Sequence, residues 1–444
     1  MKTVLILTYY WPPAGGPGVQ RVLKFAKYLP QFGWSPVILT VKKGEYPAID
    51  ETLLKDVPED LIVYKTPTLE PFALYRTFTG QKADDKITTF VLTEDSRGSL
   101  KKRLAASIRG NLFIPDARIG WKPFAVKAAR RIIRDHNIDL IFSTAPPMST
   151  HLIAKEVAKK SQLPWVADFR DPWTDVFYYH KLKRSKAALA LDKRYEASVL
   201  QSADAIVTVS PTIVKLFEQK VTNHYFVIPN GYDAQDFHDI DPLPDDGKFH
   251  MVHAGHLAGN QNPTGLWQAL QNLIKESSHF QQKLHINFYG SIHTEVHRSI
   301  LEHGLEAFAS FHQYIPHDKL VAVMKRAALL FFVVPETSYA KGIPTSKLFD
   351  YMGAGRPILG IGPEHGDAAE FVSQSQTGRV IENKPAAIKS FILSLQKNPD
   401  YFCSDQQTEK FTRKVLSGDL AEILLKIRVE CAFTQRRKDA ERKE

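Results

Sequence analysis

Three stretches of this 444-residue chain gather side chains able to do chemistry. The richest is KGIPTSKLFDYMGAGRPILGIG, residues 341–362, where Gly342 and Pro344 lead into a helical pattern whose first turn carries Thr345, Ser346 and Lys347. Free N–H groups, two hydroxyls and an ammonium at a helix N-terminus make an anion site. Asp350 follows Lys347 at i+3, on a neighbouring face, where a carboxylate can accept hydrogen bonds from ribose hydroxyls. The spacing is not that of a Walker A loop, because no GxxxxGK followed by Ser or Thr occurs. The alternative is a capped amphipathic helix with a Lys and Asp pair.

The second stretch, TYYWPPAGGPGVQRVLKF at 8–25, sets Gly15, Gly16 and Gly18 between the strand-like run TVLIL and an apolar helical pattern. A glycine-rich turn there lets backbone N–H groups approach a phosphate. It is not a dinucleotide fingerprint: the third glycine of GxGxxG falls on Arg21, and the next strand ends in VKK without a ribose-binding acid. The third stretch, PWVADFRDPW at 164–173, puts Asp168, Arg170 and Asp171 where a buried strand runs out into a loop. That end of a parallel strand faces the ligand crevice, and the alternative is an internal Arg and Asp ion pair that shapes the loop.

These residues are positioned by short β-rich runs that alternate with amphipathic stretches. The runs are TVLIL, SPVILTV, LIVYKT, DLIFST, PWVADF, AIVTVS, YFVIP, FHMVHAG, LHINFYG, LLFFVVP and PILGIG; helical patterns lie at 19–31, 124–136, 151–161, 185–202, 264–275, 318–327 and 345–354. Such alternation implies βαβ units, hence parallel sheets covered by helices in an α/β protein. Ser210 and Pro211 fit an N-cap followed by Pro at the first helical position and carry no chemistry. The segment DIDPLPDDGK, 239–248, breaks the rhythm and is read as a linker between two doubly wound domains.

Composition narrows the class. The chain is 43% hydrophobic and 24% charged, as ordinary globular proteins are, and long enough for two or three domains. Its two cysteines, Cys403 and Cys431, form neither a disulfide framework nor a zinc motif, which fits a reducing compartment. AALLFFVVP is far too short to span a membrane, and the N-terminal run ends in Tyr9, Tyr10 and Trp11 instead of small cleavage-site residues. Residues 97–134 hold eleven Lys or Arg against one acid, Asp116, an excess as large as the net charge of +10 for the whole chain. Clustered positive charge points to an anionic partner or to a solvated helix face.

Taken in order, the glycine-rich loop, DFRDPW, SADAIVTVS, IPNGYD, HAGHLAGNQNP and PTSKLFDYMGAGRPIL resemble the retaining glycosyltransferases of family 4 over nearly the whole chain. PNGYD and DYMGAGRP are similar to that family's PNGxD and EAMAxGxP patterns. The resemblance implies the GT-B fold, two doubly wound Rossmann-like domains facing an interdomain cleft. The expected division is an acceptor-side domain at 1–238, the linker 239–248, a nucleotide-sugar-binding domain at 249–415, and a C-terminal helix and basic tail at 416–444 packing back on the first domain.

The same resemblance implies transfer of a sugar, with retention, from a nucleotide diphosphate sugar to a glycan or lipid-linked acceptor in cell-surface polysaccharide synthesis. Gly15 and Gly16 match the loop facing the donor phosphates, Asp350 the family's second glutamate, which holds the ribose, and Lys347 stands at the diphosphate. The family's first glutamate falls on Gly342, and the Arg and Lys of its phosphate site fall on His256 and Gln261, so Lys347 is expected to supply the missing cation. Thr345 and Ser346 complete the binding set, while Asp168 and Arg170 are expected to orient the acceptor or the transferred sugar.

Neither a cofactor nor a metal is expected, since the one DxD, Asp239 and Asp241, falls in the linker. Two other readings are a sugar-nucleotide epimerase of the same fold and a basic nucleic-acid-binding protein. The second lacks a helix-turn-helix, zinc finger or RNP pattern, and nucleic acid is not an expected partner. Leu100, Leu104, Ile108 and Leu112 recur at i+4 among Lys101, Lys102, Arg103 and Arg109. The expected location is therefore cytoplasmic, peripheral on the inner face of the plasma membrane through residues 97–113, with packing on the first sheet as the alternative.

Overall fold

Short apolar runs with almost no polar interruption suit parallel strands that are buried on both faces. In the computed structural model they form two all-parallel sheets. The structure describes residues 1–46, 48–70, 110–176, 179–182, 184–313, 315–398, 402 and 405–441. The chain divides into a first unit, Met1–Pro229 with Leu416–Glu444, and a second, Asn230–Val415.

The first unit is built on β1 (Lys2–Leu7), β2 (Trp34–Val41), β3 (Ile62–Thr66), β4 (Leu140–Ala145), β5 (Trp165–Phe169), β6 (Ala205–Thr208) and β7 (Tyr225–Val227). Among the described residues the order is β3-β2-β1-β4-β5-β6-β7. At the centre, Val4, Leu5, Ile6 and Leu7 are wholly buried, with Val4 in register with Pro36 on one side and Leu140 on the other. Helices Pro17–Tyr28, Lys122–His136 and Ser149–Ser161 make the crossovers. The order reverses between β1 and β4, the switch point at which such sheets bind ligands.

The last helix, Arg413–Glu441, sends Leu416, Leu420, Leu424 and Ile427 into this first core. Their spacing of three and four residues keeps them on one stripe. Trp34 Nε1 donates to the Ala421 carbonyl at 3.2 Å, and Gly418 is small because a Cβ there would lie 3.0 Å from the Phe32 ring.

The second unit holds β8 (Phe249–Ala254), β9 (Leu284–Tyr289), β10 (Ala309–His312), β11 (Leu329–Val333), β12 (Ile358–Ile361) and β13 (Gly378–Ile381), in the order β10-β9-β8-β11-β12-β13. Along β11 the side chains alternate faces. Leu329, Phe331 and Val333 join a core with Trp267 and Phe288, while Leu330 and Phe332 join another with Leu348 and Met352. The strands that the sequence reading lacks, β10 and β13, are the two edges. An edge strand needs only one neighbour and tolerates exposed residues such as Phe311 and Arg379, so ASFH and GRVI carry no long apolar signal.

Ser210 caps the helix Pro211–Glu218, its hydroxyl accepting from the Ile213 N–H at 3.4 Å. Residues 239–248 lie inside the second unit, where Lys325 donates to the Ile240 carbonyl at 2.8 Å and Leu243 N–H to Ala322 O at 3.2 Å. The basic stretch 97–109 falls outside the described residues. Among the described residues no helix is long and apolar enough to cross a membrane.

Candidate functional site

In the first unit the glycine-rich turn follows β1 directly. Gly15 N–H donates to Ala48 O at 2.9 Å and Asp50 N–H to Pro13 O at 2.8 Å, which pins the turn to the chain after β2. Gly16 has φ of +110°, a conformation costly for any residue with a Cβ, and its carbonyl starts the helix by accepting from Val19 and Gln20. Among the described residues the N–H of the exposed Gly16 is taken up by no backbone carbonyl, so the turn presents a donor there. Gly18 serves a different purpose. A Cβ there would stand 3.0 Å from the Arg170 guanidinium.

Asp168 ends β5 with no exposed surface. Its carboxylate accepts from Arg21 Nε at 3.1 Å, Arg21 Nη2 at 2.8 Å and the Thr144 hydroxyl at 2.7 Å. Arg21, equally buried, also donates through Nη1 to Pro229 O at 2.8 Å. Burial works to raise the Asp168 pKa, but the charge and hydrogen bonds of Arg21, with Arg170 and Thr144, overcome it and hold the group below the ordinary range. Arg170 bonds to Thr144 Oγ1 and Pro146 O, and burial pushes the neighbouring Asp171 carboxyl up. Beneath lies His151, wholly buried, 4.2 Å from the Phe169 ring and bonded to Ser143 Oγ at 2.8 Å; burial lowers its pKa to about 3 and keeps it neutral.

Asp168 thus has both its oxygens engaged by protein groups inside the core. Its partner Arg21 was missed as a site residue. The signal was available, since Arg21 falls between Val19, Val22 and Phe25 on a helix face that is otherwise apolar.

In the second unit, the helix Lys347–Gly353 begins one residue after Ser346. Its first turn is tight: Leu348 N–H donates to Thr345 O and Phe349 N–H to Ser346 O, both at 3.2 Å. Two of the expected free donors are therefore in use, and Lys347 becomes the main cationic group there. Its side chain crosses to the end of β8, where Nζ donates to His256 O at 2.8 Å. The crossing needs Gly255, which has φ of +103° and whose Cβ would lie 2.7 Å from Lys347 Cε. Burial lowers the amine pKa to about 8.

His256 is exposed beside this amine, its Nδ1 2.7 Å from Ser291 Oγ. Both ends of the Gln261 amide have protein partners. Its Nε2 donates to Val333 O at 2.6 Å and its Oε1 accepts from Ala258 N–H at 3.1 Å, so it clips its loop to the end of β11. Asp350 lies in the electrostatic field of His317, Arg413 and Asp236. Burial raises its pKa, His317 and Arg413 oppose the rise, and Asp236 adds to it. Thr345, Ser346 and Asp350 are all partly buried. Among the described residues no three His, Cys, Asp or Glu side chains are gathered for a metal ion.

Residues 16–236, which contain the glycine turn, Asp168, Arg170 and PNGYD, match the family model described as Glycosyltransferase Family 4. This segment belongs to glycosyltransferase family 4. No curated protein matches it. Solved structures do. A glycosyltransferase from Rickettsia africae is 14% identical, with a TM-score of 0.61 over 96% of this chain and 98% of that one. HepE of Anabaena, solved in complex with UDP and glucose, is 17% identical, with a TM-score of 0.59 over 96% and 100%. The pneumococcal O-GlcNAc transferase GtfA, in complex with UDP and GlcNAc, is 12% identical, with a TM-score of 0.56 over 96% and 99%. At these identities the likeness is one of fold, and the fold of this family 4 protein is GT-B, with two Rossmann-like units.

Proposed function

We propose that this family 4 protein is a retaining glycosyltransferase that moves a sugar from a nucleotide diphosphate sugar to a glycan or lipid-linked acceptor. The observation that carries the reading is Lys347, an amine held at the end of β8 on the helix that also bears Asp350 in the position of the family's ribose-binding acid. Transfer forms a bond between the acceptor oxygen and the anomeric carbon as the bond to the diphosphate oxygen breaks. The diphosphate leaves with the electron pair, and the acceptor proton passes to the phosphate or to solvent. Charge accumulates on the leaving group, so a preorganised ammonium lowers the barrier directly and without a metal. Asp350 holds the ribose, and His256, Thr345 and Ser346 bound the phosphates. Gly15 and Gly16 bind donor phosphate, and Arg170 orients the sugar or the acceptor.

Because HepE was solved with UDP and glucose, uridine diphosphate sugars are the first donors to test. Thermal shift against UDP, GDP, ADP and dTDP sugars identifies the donor, since a ligand bound only by the native state raises its melting temperature. Product analysis with that donor then decides the reaction. A glycoside with the donor's anomeric configuration supports the reading; an epimerised nucleotide sugar formed without acceptor overturns it.

The reading extends to location and to the synthesis of cell-surface polysaccharide. The helix Lys122–His136 exposes Lys127, Arg130 and Arg134 along a groove of about 530 Å³, and its one lining acid, Glu156, is paired with Lys122 at 3.0 Å and Lys160 at 2.6 Å. This face suits the anionic cytoplasmic side of a membrane, the partner also expected for the basic sequence 97–113. Sedimentation with acidic liposomes should fall when Lys127, Arg130 and Arg134 are changed to Glu; equal recovery with neutral lipid overturns this part.

A further inference from the structure

The residues just before the glycine turn form a second feature. Trp11, Pro12 and Pro13 wall one side of a cavity of about 350 Å³ that opens at the carboxyl ends of β1, β2 and β3. The same cavity is lined by Lys42 and Lys43, which follow β2, together with Tyr46 and with Lys65 from β3. Trp11 is almost wholly buried and serves as a fixed floor, while the three lysines are exposed. Tyr46 is half-buried and braced edge-on by Tyr10, with ring centroids 6.4 Å apart. No acid lines the cavity among the described residues. The Glu70 carboxylate is engaged with the Tyr9 hydroxyl and the Glu45 N–H.

The place and the chemistry agree. Ligands of open parallel sheets bind outside the carboxyl ends of the strands. The bonds from Gly15 to Ala48 and from Asp50 to Pro13 join the cavity wall and the glycine turn into one body, so an occupant lies next to Gly15 and Gly16. The volume falls in the range of small-molecule sites and suits one sugar unit. Aromatic and proline faces pack against the C–H faces of a sugar. Three ammonium groups without a carboxylate favour an anion.

We propose that this cavity is the acceptor subsite and that the acceptor sugar seated in it carries a phosphate or a carboxylate. The inference rests on the transferase reading above and adds the class of acceptor.

Calorimetric titration of the full-length chain, with UDP present, tests it with four probes: glucose 1-phosphate, glucuronate, glucose and inorganic phosphate. At least one of the two anionic sugars should bind about tenfold more tightly than glucose or phosphate, as expected for a charge-assisted hydrogen bond added to a stacked sugar. Which of the two binds identifies the acid. That affinity should fall about tenfold in Lys42→Glu/Lys65→Glu, and in wild type as salt is raised. UDP affinity and melting temperature should not change in the variant, since both side chains are on the surface and neither belongs to the residues assigned to the donor. Glucose or phosphate binding as tightly as the anionic sugars, no binding by any probe, or an unaltered affinity in the variant would overturn the proposal. Failure of wild type to bind any nucleotide would instead sink the transferase reading, whatever the probes do.

Discussion

Arg21 and Asp168, 147 residues apart, meet through two hydrogen bonds of 3.1 and 2.8 Å with neither side chain exposed. The pair joins the first helix to the end of β5, and Thr144 completes the carboxylate's shell. A buried pair of this kind contributes little net stability as a pair, but breaking it leaves an uncompensated charge in the core. Asp168→Ala should therefore lower unfolding free energy by about 3–5 kcal/mol, read by urea denaturation. A loss under about 1 kcal/mol would contradict the pairing, because that is the range of exposed ion pairs.

Lys347 should carry the alkaline limb of the pH profile. Its amine is charged below a pKa of about 8 and neutral above it, so kcat/KM, which reports the free enzyme, should fall as pH rises through about 8. Lys347→Ala should lower turnover by a factor on the order of 100. Lys347→Arg, which keeps a charge at all accessible pH, should remove the limb. A limb that persists in the arginine variant would assign it to another group.

Asp350 should act mainly on donor affinity, because ribose contacts serve ground and transition states alike. Burial raises its pKa, so protonation, and with it weaker donor binding, should set in at higher pH than for an ordinary aspartate. Asp350→Asn should raise KM, leave kcat within a few-fold and abolish this acid dependence. Unchanged donor affinity would show that the helix presents another face to the nucleotide.

Gly353 stands where the family pattern has Ala. A Cβ there would lie 2.6 Å from ring carbons of both Phe237 and Tyr232. Gly353→Ala should cost about 1–3 kcal/mol as an overpacking change, and Phe237→Leu should recover part of it. A stabilised variant, as helix propensity alone would give, would show that the rings yield freely.

Because a protein ammonium stands at the proposed diphosphate site, transfer should survive EDTA. Complete loss that magnesium restores would assign the leaving-group charge to a metal instead.

Much of this was legible in the chain itself. Strand and helix alternation is local, written in run length and in periods of two and 3.6. It therefore located every central strand, the helix Lys347–Gly353 and the switch from β1 into the glycine turn. Motif order along the chain likewise pointed to the family, since order needs no knowledge of contacts. Partners were another matter. That Asp168 lies at a buried strand end was readable, but that its charge is spent on Arg21 depends on which helix crosses β5. Gln261 aligned with a phosphate-site lysine, yet its amide closes on Val333, 72 residues further on. Lys347 and Asp350 are three residues apart, but one reaches His256 O and the other feels the charges of His317 and Arg413. The edge strands β10 and β13 were likewise settled only by packing. Local sequence determines the backbone state of a segment and which side chains seek burial. The group a buried charge or amide finally meets is fixed by which elements neighbour one another, and that is a property of the whole fold.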